Sequence, residues 1–175
     1  MHITSAKIVM MGDDEADKSA LLCQFFPGNL PPFQEHAKST LGADFCIIEL
    51  KAASAEVHLY FWELNELESF NTLRKYYLNG MKVFLIVFDL TRPETLEHAY
   101  QWYEEAKCVN PEASGILIGT KLDLHEERKI PDEKIDQVSA DLGCPVILAS
   151  TQTGENCENI LQELAAMVEP GMVFA

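Results

Sequence analysis

The residues with the clearest chemical potential lie between an apolar run and an amphipathic one. Ala6–Met11 is apolar and of strand length. Gly12-Asp-Asp-Glu-Ala-Asp17-Lys18-Ser19 follows, and Lys18–Phe26 reads as a helix with Leu21, Leu22 and Phe25 on one face. Glycine, four residues, then Gly-Lys-Ser/Thr between a strand and a helix is the spacing of a phosphate cradle. The glycines let backbone N–H groups converge on an anion, the lysine adds positive charge, and the hydroxyl holds Mg²⁺. Gly12, Lys18 and Ser19 keep that spacing, but Asp17 replaces the second glycine. Asp13, Asp14, Glu15 and Asp17 place four carboxylates where a polyanion would sit. At ~6 Å and an effective dielectric of ~20, each carboxylate–phosphate pair repels by roughly 3 kcal/mol before screening. The plainer reading of the loop is a solvated acidic turn in which Lys18 pairs with a neighbouring carboxylate.

Positioning such a loop takes a sheet. Phe45–Lys51 and Val57–Trp62 read as strands joined by a short loop, and Leu67–Leu78 as a polar, aromatic helix. Val83–Phe88 is apolar on both faces, as a central parallel strand must be. Thr91-Arg-Pro-Glu94 has the spacing of a capping box before a helix reaching about Lys107. Gly115–Gly119 and Val146–Ala149 are further strands, and Pro131 and Gly143 bracket a helix between them. Cys157, Ile160, Leu161, Leu164, Met167 and Val168 form the stripe of a last helix. Alternating strands and helices predict an α/β fold, a mostly parallel sheet covered on both sides, with ligands beyond the C-terminal strand ends. The loops to inspect are 12–19, 63–68, 120–124 and 150–154.

The 175 residues suit a single domain, 1–175, with its core at about 5–168. The net charge of −15 argues against nucleic acid and anionic membranes as partners. No secretory signal, membrane-length run or cysteine near the C-terminus is present, so neither export nor a prenyl anchor is expected. The five cysteines form no C-x-x-C pair and read as buried thiols of a cytoplasmic protein.

Four further segments carry a family resemblance. Lys38-Ser39-Thr40-Leu41-Gly42-Ala43-Asp44-Phe45 resembles switch I of Rab-type small GTPases. Trp62-Glu63-Leu64-Asn65-Glu66-Leu67-Glu68-Ser69-Phe70 stands where that family has W-D-T-A-G-Q-E-x-F. Thr120-Lys121-Leu122-Asp123 is similar to the guanine-recognition motif N/T-K-x-D, and Ser150-Thr151-Gln152-Thr153-Gly154-Glu155-Asn156 to S-A-K-T-G-E-N. The resemblance implies a P-loop small-GTPase fold: a six-stranded sheet with Phe45–Lys51 as its one antiparallel strand, flanked by five helices. It implies GDP or GTP with Mg²⁺ as cofactor. Gly12, Asp17, Lys18, Ser19 and Thr40 would line the phosphates. Thr120, Lys121, Asp123, Ser150, Thr151 and Gln152 would surround the base, with Asp123 bonding the guanine ring. Ser19 and Thr40 would be the Mg²⁺ ligands.

The departures fall on chemistry. Glu63 replaces the aspartate that orients magnesium's water, Glu66 replaces the glycine that meets the γ-phosphate, and Leu67 replaces the glutamine that orients the attacking water. Phosphoryl transfer relies on positioning and charge neutralisation, so no efficient hydrolysis and weak or no nucleotide binding are expected. Gln152 replaces a lysine that supports the base site. In contrast, Phe45, Trp62 and Tyr77 keep the aromatic trio that Rab proteins present to effectors, with Tyr76 as the alternative to Tyr77 one residue back. The expected role is a pseudo-GTPase: an interaction module of membrane traffic, recruited to membranes by an effector or regulatory partner. The alternatives are a slow guanine-nucleotide switch, and a divalent-cation site made by the acidified loops.

Overall fold

A computed structural model describes residues 2–26, 42–51, 55–64, 66 and 71–170. Thr40, Leu67 and the side chain of Glu15 lie outside them. The strands are β1 (His2–Met11), β2 (Ala43–Lys51), β3 (Ala55–Leu64), β4 (Val83–Asp89), β5 (Ser114–Thr120) and β6 (Val146–Leu148). They form one sheet in the order β2-β3-β1-β4-β5-β6. β2 runs antiparallel to β3, with Phe45 opposite Trp62. The other neighbouring pairs are parallel. The helices are α1 (Lys18–Gln24), α2 (Asn71–Leu78), α3 (Pro93–Glu97), α4 (Ala99–Val109), α5 (Asp132–Leu142) and α6 (Cys157–Val168). His98 joins α3 to α4 in helical conformation (φ −68°, ψ −14°), so the two act as one body and the sheet is flanked by five.

Strand periodicity splits the core in two. Ile8 and Met10 of β1 pack with Leu21, Leu22, Ile160 and Leu164 on the α1/α6 side. Val9 and Met11 pack with Phe84, Phe88, Trp102 and Val138 on the α2–α5 side. Every residue of β4 is buried, as a strand covered on both faces requires. Full burial of a side chain such as Phe88 contributes about 1.5–3 kcal/mol.

Several local expectations shift; of the five thiols expected to be buried, Cys108 is exposed and Cys23 only partly buried. α1 ends at Gln24, two residues short of Phe26. The described part of the polar helix is Asn71–Leu78, with 67–70 outside it. Thr91 is not a capping residue: its hydroxyl donates to Asp89 Oδ1 at 2.7 Å, and Arg92 holds the N-cap position without a side-chain bond. A strand-end carboxylate captured the hydroxyl, and Pro93 at the first helical position sets the start.

Candidate functional site

The loop after β1 is anchored from below. Gly12 has φ +142°, and a Cβ there would lie 2.2 Å from Val87 O on β4, so only glycine fits. Beyond it, residues 14–16 wind into a 3₁₀ turn in which Ala16 N–H donates to Asp13 O at 3.0 Å. Asp17 then adopts the left-handed conformation (φ 60°, ψ 34°) at the position of the missing glycine. Aspartate tolerates that region better than most residues because its short side chain bonds locally.

Lys18 is 3% exposed, and among the described residues its partners are backbone carbonyls and not a carboxylate. Its Nζ donates to Gly12 O at 2.6 Å and Asp13 O at 2.7 Å. Burial pushes its pKa down, against the pull of Glu63, Asp14, Glu66 and Asp13. Ser19 Oγ donates to Glu63 Oε1 at 2.7 Å. Glu63 Oε2 is buried without a hydrogen-bond partner, and burial raises the pKa of that carboxyl despite Ser19 and Lys18. Half-buried Glu66 accepts the Asp14 N–H on Oε2 at 2.9 Å. Its pKa is also raised by burial, against that amide bond.

The loop acids do not share one direction. Asp13 turns toward α3 and α4, where Oδ2 lies 2.7 Å from His98 Nδ1 and Oδ1 accepts from Trp102 Nε1 at 3.3 Å. Asp17 faces the other way, with Oδ2 3.9 Å from Lys121 Nζ. Burial raises its pKa, and Lys121 opposes the shift. Among the described residues, the His/Cys/Asp/Glu group whose ligand atoms converge within 4.8 Å is Glu49, Glu56 and His58. It lies at the far end of the β2–β3 hairpin, where the Lys51 ammonium stands 3.6 Å from Glu56.

The ends of β5 and β6 bring the second half of the site together. Thr120 Oγ1 is fully buried, 3.1 Å from both Ala16 O and Phe88 O, and so links the loop to two strand ends. Ser150 Oγ donates to Asp123 Oδ1 at 2.6 Å and accepts the N–H groups of Gln152 and Thr153. Thr151 O accepts from Gln24 Nε2 at 2.5 Å, while Gln152 itself is exposed. Lys121 is left-handed (φ 64°), and its Nζ lies 2.7 Å from Asp89 Oδ2. Burial works against the ammonium, but Asp89 and Asp17 outweigh it and raise its pKa. Asp89 escaped the sequence reading. Its signal was an acid closing an otherwise apolar parallel strand, the end at which ligands gather.

The aromatics of β2, β3 and α2 form a continuous row. Phe45 and Trp62 have ring centroids 4.9 Å apart, and Trp62 stacks on Tyr77 at 5.4 Å. Lys7 Nζ lies 5.0 Å from the Trp62 ring centroid. Tyr76 is 73% exposed, so Tyr77 completes the row.

The family model of the Ras family matches residues 7–170. The chain belongs to the Ras family. Within it, the chain resembles Rab-type proteins. It is 33% identical over 162 residues to the Ras-related protein Rab5 of Nicotiana tabacum, covering 92% of this chain and 80% of the relative. It is 32% identical over 167 residues to the Ras-related protein RABC2b of Arabidopsis thaliana, covering 94% and 80%. It is 27% identical over 164 residues to the Ras-related protein SEC4 of Candida albicans, covering 93% and 77%. The six-stranded sheet and its five flanking helical bodies are those of this family's P-loop fold. No helix among the described residues of this Ras-family chain is long and apolar enough to cross a membrane.

Proposed function

We propose that the chain is a Rab-like pseudo-GTPase, one G-domain-like unit that works as a protein-interaction module of vesicle traffic. Nucleotide binding is impaired and GTP hydrolysis is not efficient. The observation that carries the reading is the closure of the phosphate loop on itself. The Ala16 N–H is spent on Asp13 O, within a setting of Asp14, Glu63 and Glu66 carboxylates. A phosphate cradle needs amides aimed at the anion and a surplus of positive charge. These residues do not fit a Mg²⁺-bound triphosphate. Glu63, Glu66 and Leu67 leave the reaction without its ordinary positioning groups.

The Phe45–Trp62–Tyr77 row supports the interaction role. Aromatic clusters with partial exposure supply large contact area at low side-chain entropy cost. An effector or regulatory protein docking there would bring the chain from the cytoplasm to a membrane.

A second reading, a guanine-nucleotide switch with very slow hydrolysis, is favoured by the base side of the site. Ser150 fixes the Asp123 carboxylate, and Asp89 holds Lys121. One measurement separates the two. Purified protein, denatured and chromatographed, is expected to release far less than one GDP or GTP per chain. Near-stoichiometric nucleotide establishes the switch instead.

A further inference from the structure

The phosphate loop already holds an anion of its own. Glu66 Oε2 accepts the Asp14 N–H at 2.9 Å. The backbone of Glu66 is fixed from the other side, because Arg74 Nη1 donates to Glu66 O at 3.1 Å. Arg74 is 4% exposed, pairs with Glu105 at 3.2 Å and lies 5.3 Å from the Trp102 ring centroid. The Glu66 side chain therefore starts from an anchored point and reaches across to the loop.

The two ends of the loop are chemically distinct. Asp17 lies at the end that faces Lys121, and so neighbours Asp123 and Ser150 on the base side. Asp14 lies at the opposite end, beside Glu66. A phosphate chain laid along the loop from a base held by Asp123 reaches Glu66 last. We propose that the Glu66 carboxylate occupies the terminal-phosphate end of the loop, so that the site discriminates against nucleoside triphosphates in favour of diphosphates. This rests on the reading of an impaired site and deepens it; the orientation of the base is taken from Asp123, held by Ser150.

The discrimination follows from hydrogen counting and charge. An amide has one hydrogen, and a carboxylate can only accept. A terminal phosphate oxygen takes the Asp14 N–H only by displacing Glu66 Oε2, which still leaves two anions side by side. The penalty falls on the phosphate that reaches this end and spares a shorter chain. The buried, unpartnered Glu63 Oε2 adds a second negative atom to the same neighbourhood.

The test compares the unmodified protein with Glu66→Gln and Glu66→Ala, using fluorescent GDP and GTP analogues with Mg²⁺. The unmodified protein is expected to prefer the diphosphate by about tenfold or more, Glu66→Ala to abolish the preference, and Glu66→Gln to fall between them. A ratio near one in the unmodified protein, or an unchanged ratio in Glu66→Ala, overturns the proposal. If the unmodified protein binds neither analogue, binding gained by Glu66→Ala supports it, and silence in all three proteins overturns it. Amide exchange of Asp14 followed by NMR reads the contact without nucleotide. Glu66→Ala should accelerate it at least tenfold, and unchanged protection overturns the proposal. Stoichiometric nucleotide on the purified protein would instead refute the pseudo-GTPase reading and leave the ratio test standing.

Discussion

At the scale of single residues, the site is a set of polar groups that have found one another. Lys18 bonds two carbonyls, Ser19 bonds Glu63, and Ser150 bonds Asp123. Gly12 is the residue on which the loop's path depends most. Gly12→Ala would drive a methyl group 2.2 Å from Val87 O at a φ that side chains rarely adopt. Steric crowding and backbone strain together should cost about 2–5 kcal/mol. The measurement is urea unfolding, and a loss below 1 kcal/mol would contradict the packing described. The spacing of Gly12, Lys18 and Ser19 was legible because a strand–loop–helix junction constrains it locally. The contact of Asp13 with His98 was not, since 85 residues separate the two and only the folded sheet brings them together. Asp89 was hidden for the same reason: its partner Lys121 comes from the next strand's end.

At the scale of elements, the sheet was the most legible part. β4 and β5 read as apolar runs because both of their faces are covered, and β1 because its alternate residues feed two cores. Helix ends were less legible, because side chains compete for the same backbone groups; Thr91 served a strand-end aspartate instead of a helix cap. The tyrosine register on α2 also needed the packed structure. A helix turns about 100° per residue, so adjacent tyrosines face different ways. Tyr77 stacks on Trp62, and Tyr76 points to solvent. Tyr77→Ala should lower stability by about 1–2 kcal/mol, whereas Tyr76→Ala should stay within about 0.5 kcal/mol. Thermal unfolding of the two variants checks this, and equal effects would argue against the assigned row.

At the scale of the whole molecule, the charge of −15 acts through a few half-buried acids. Burial raises the pKa of Asp17, Asp44, Glu63 and Glu66. Their folded forms hold protons more tightly than the unfolded chain does, so their deprotonation weakens the fold as pH rises through the raised values. The pKa of His98 is raised chiefly by its hydrogen bond to Asp13. Its contribution is complete below the ordinary imidazole value of 6.5 and is lost as pH rises through the higher folded value. Both effects have the same sign. Glu56 and Glu94, with lowered pKa values, oppose them only below the ordinary carboxyl value of 4.5, and Lys7 and Lys18, lowered by burial, oppose them as pH rises toward the ordinary lysine value of 10.5. The urea midpoint should therefore be higher at pH 5.5 than at pH 8, and His98→Gln should shrink the difference. A midpoint that rises with pH across this range would contradict the raised values of His98 and the carboxyls.

The placement of the two tryptophans has an optical consequence. Trp102, 7% exposed, touches Asp13 of the loop and lies under Arg74. Trp62 sits half-buried in the row of rings on the hairpin. Each end of the chain's chemistry thus carries its own intrinsic fluorophore, one shielded and one partly wet. Emission at short wavelength reports on the loop and emission at longer wavelength on the aromatic surface, so an unlabelled sample can say which of the two a ligand has touched.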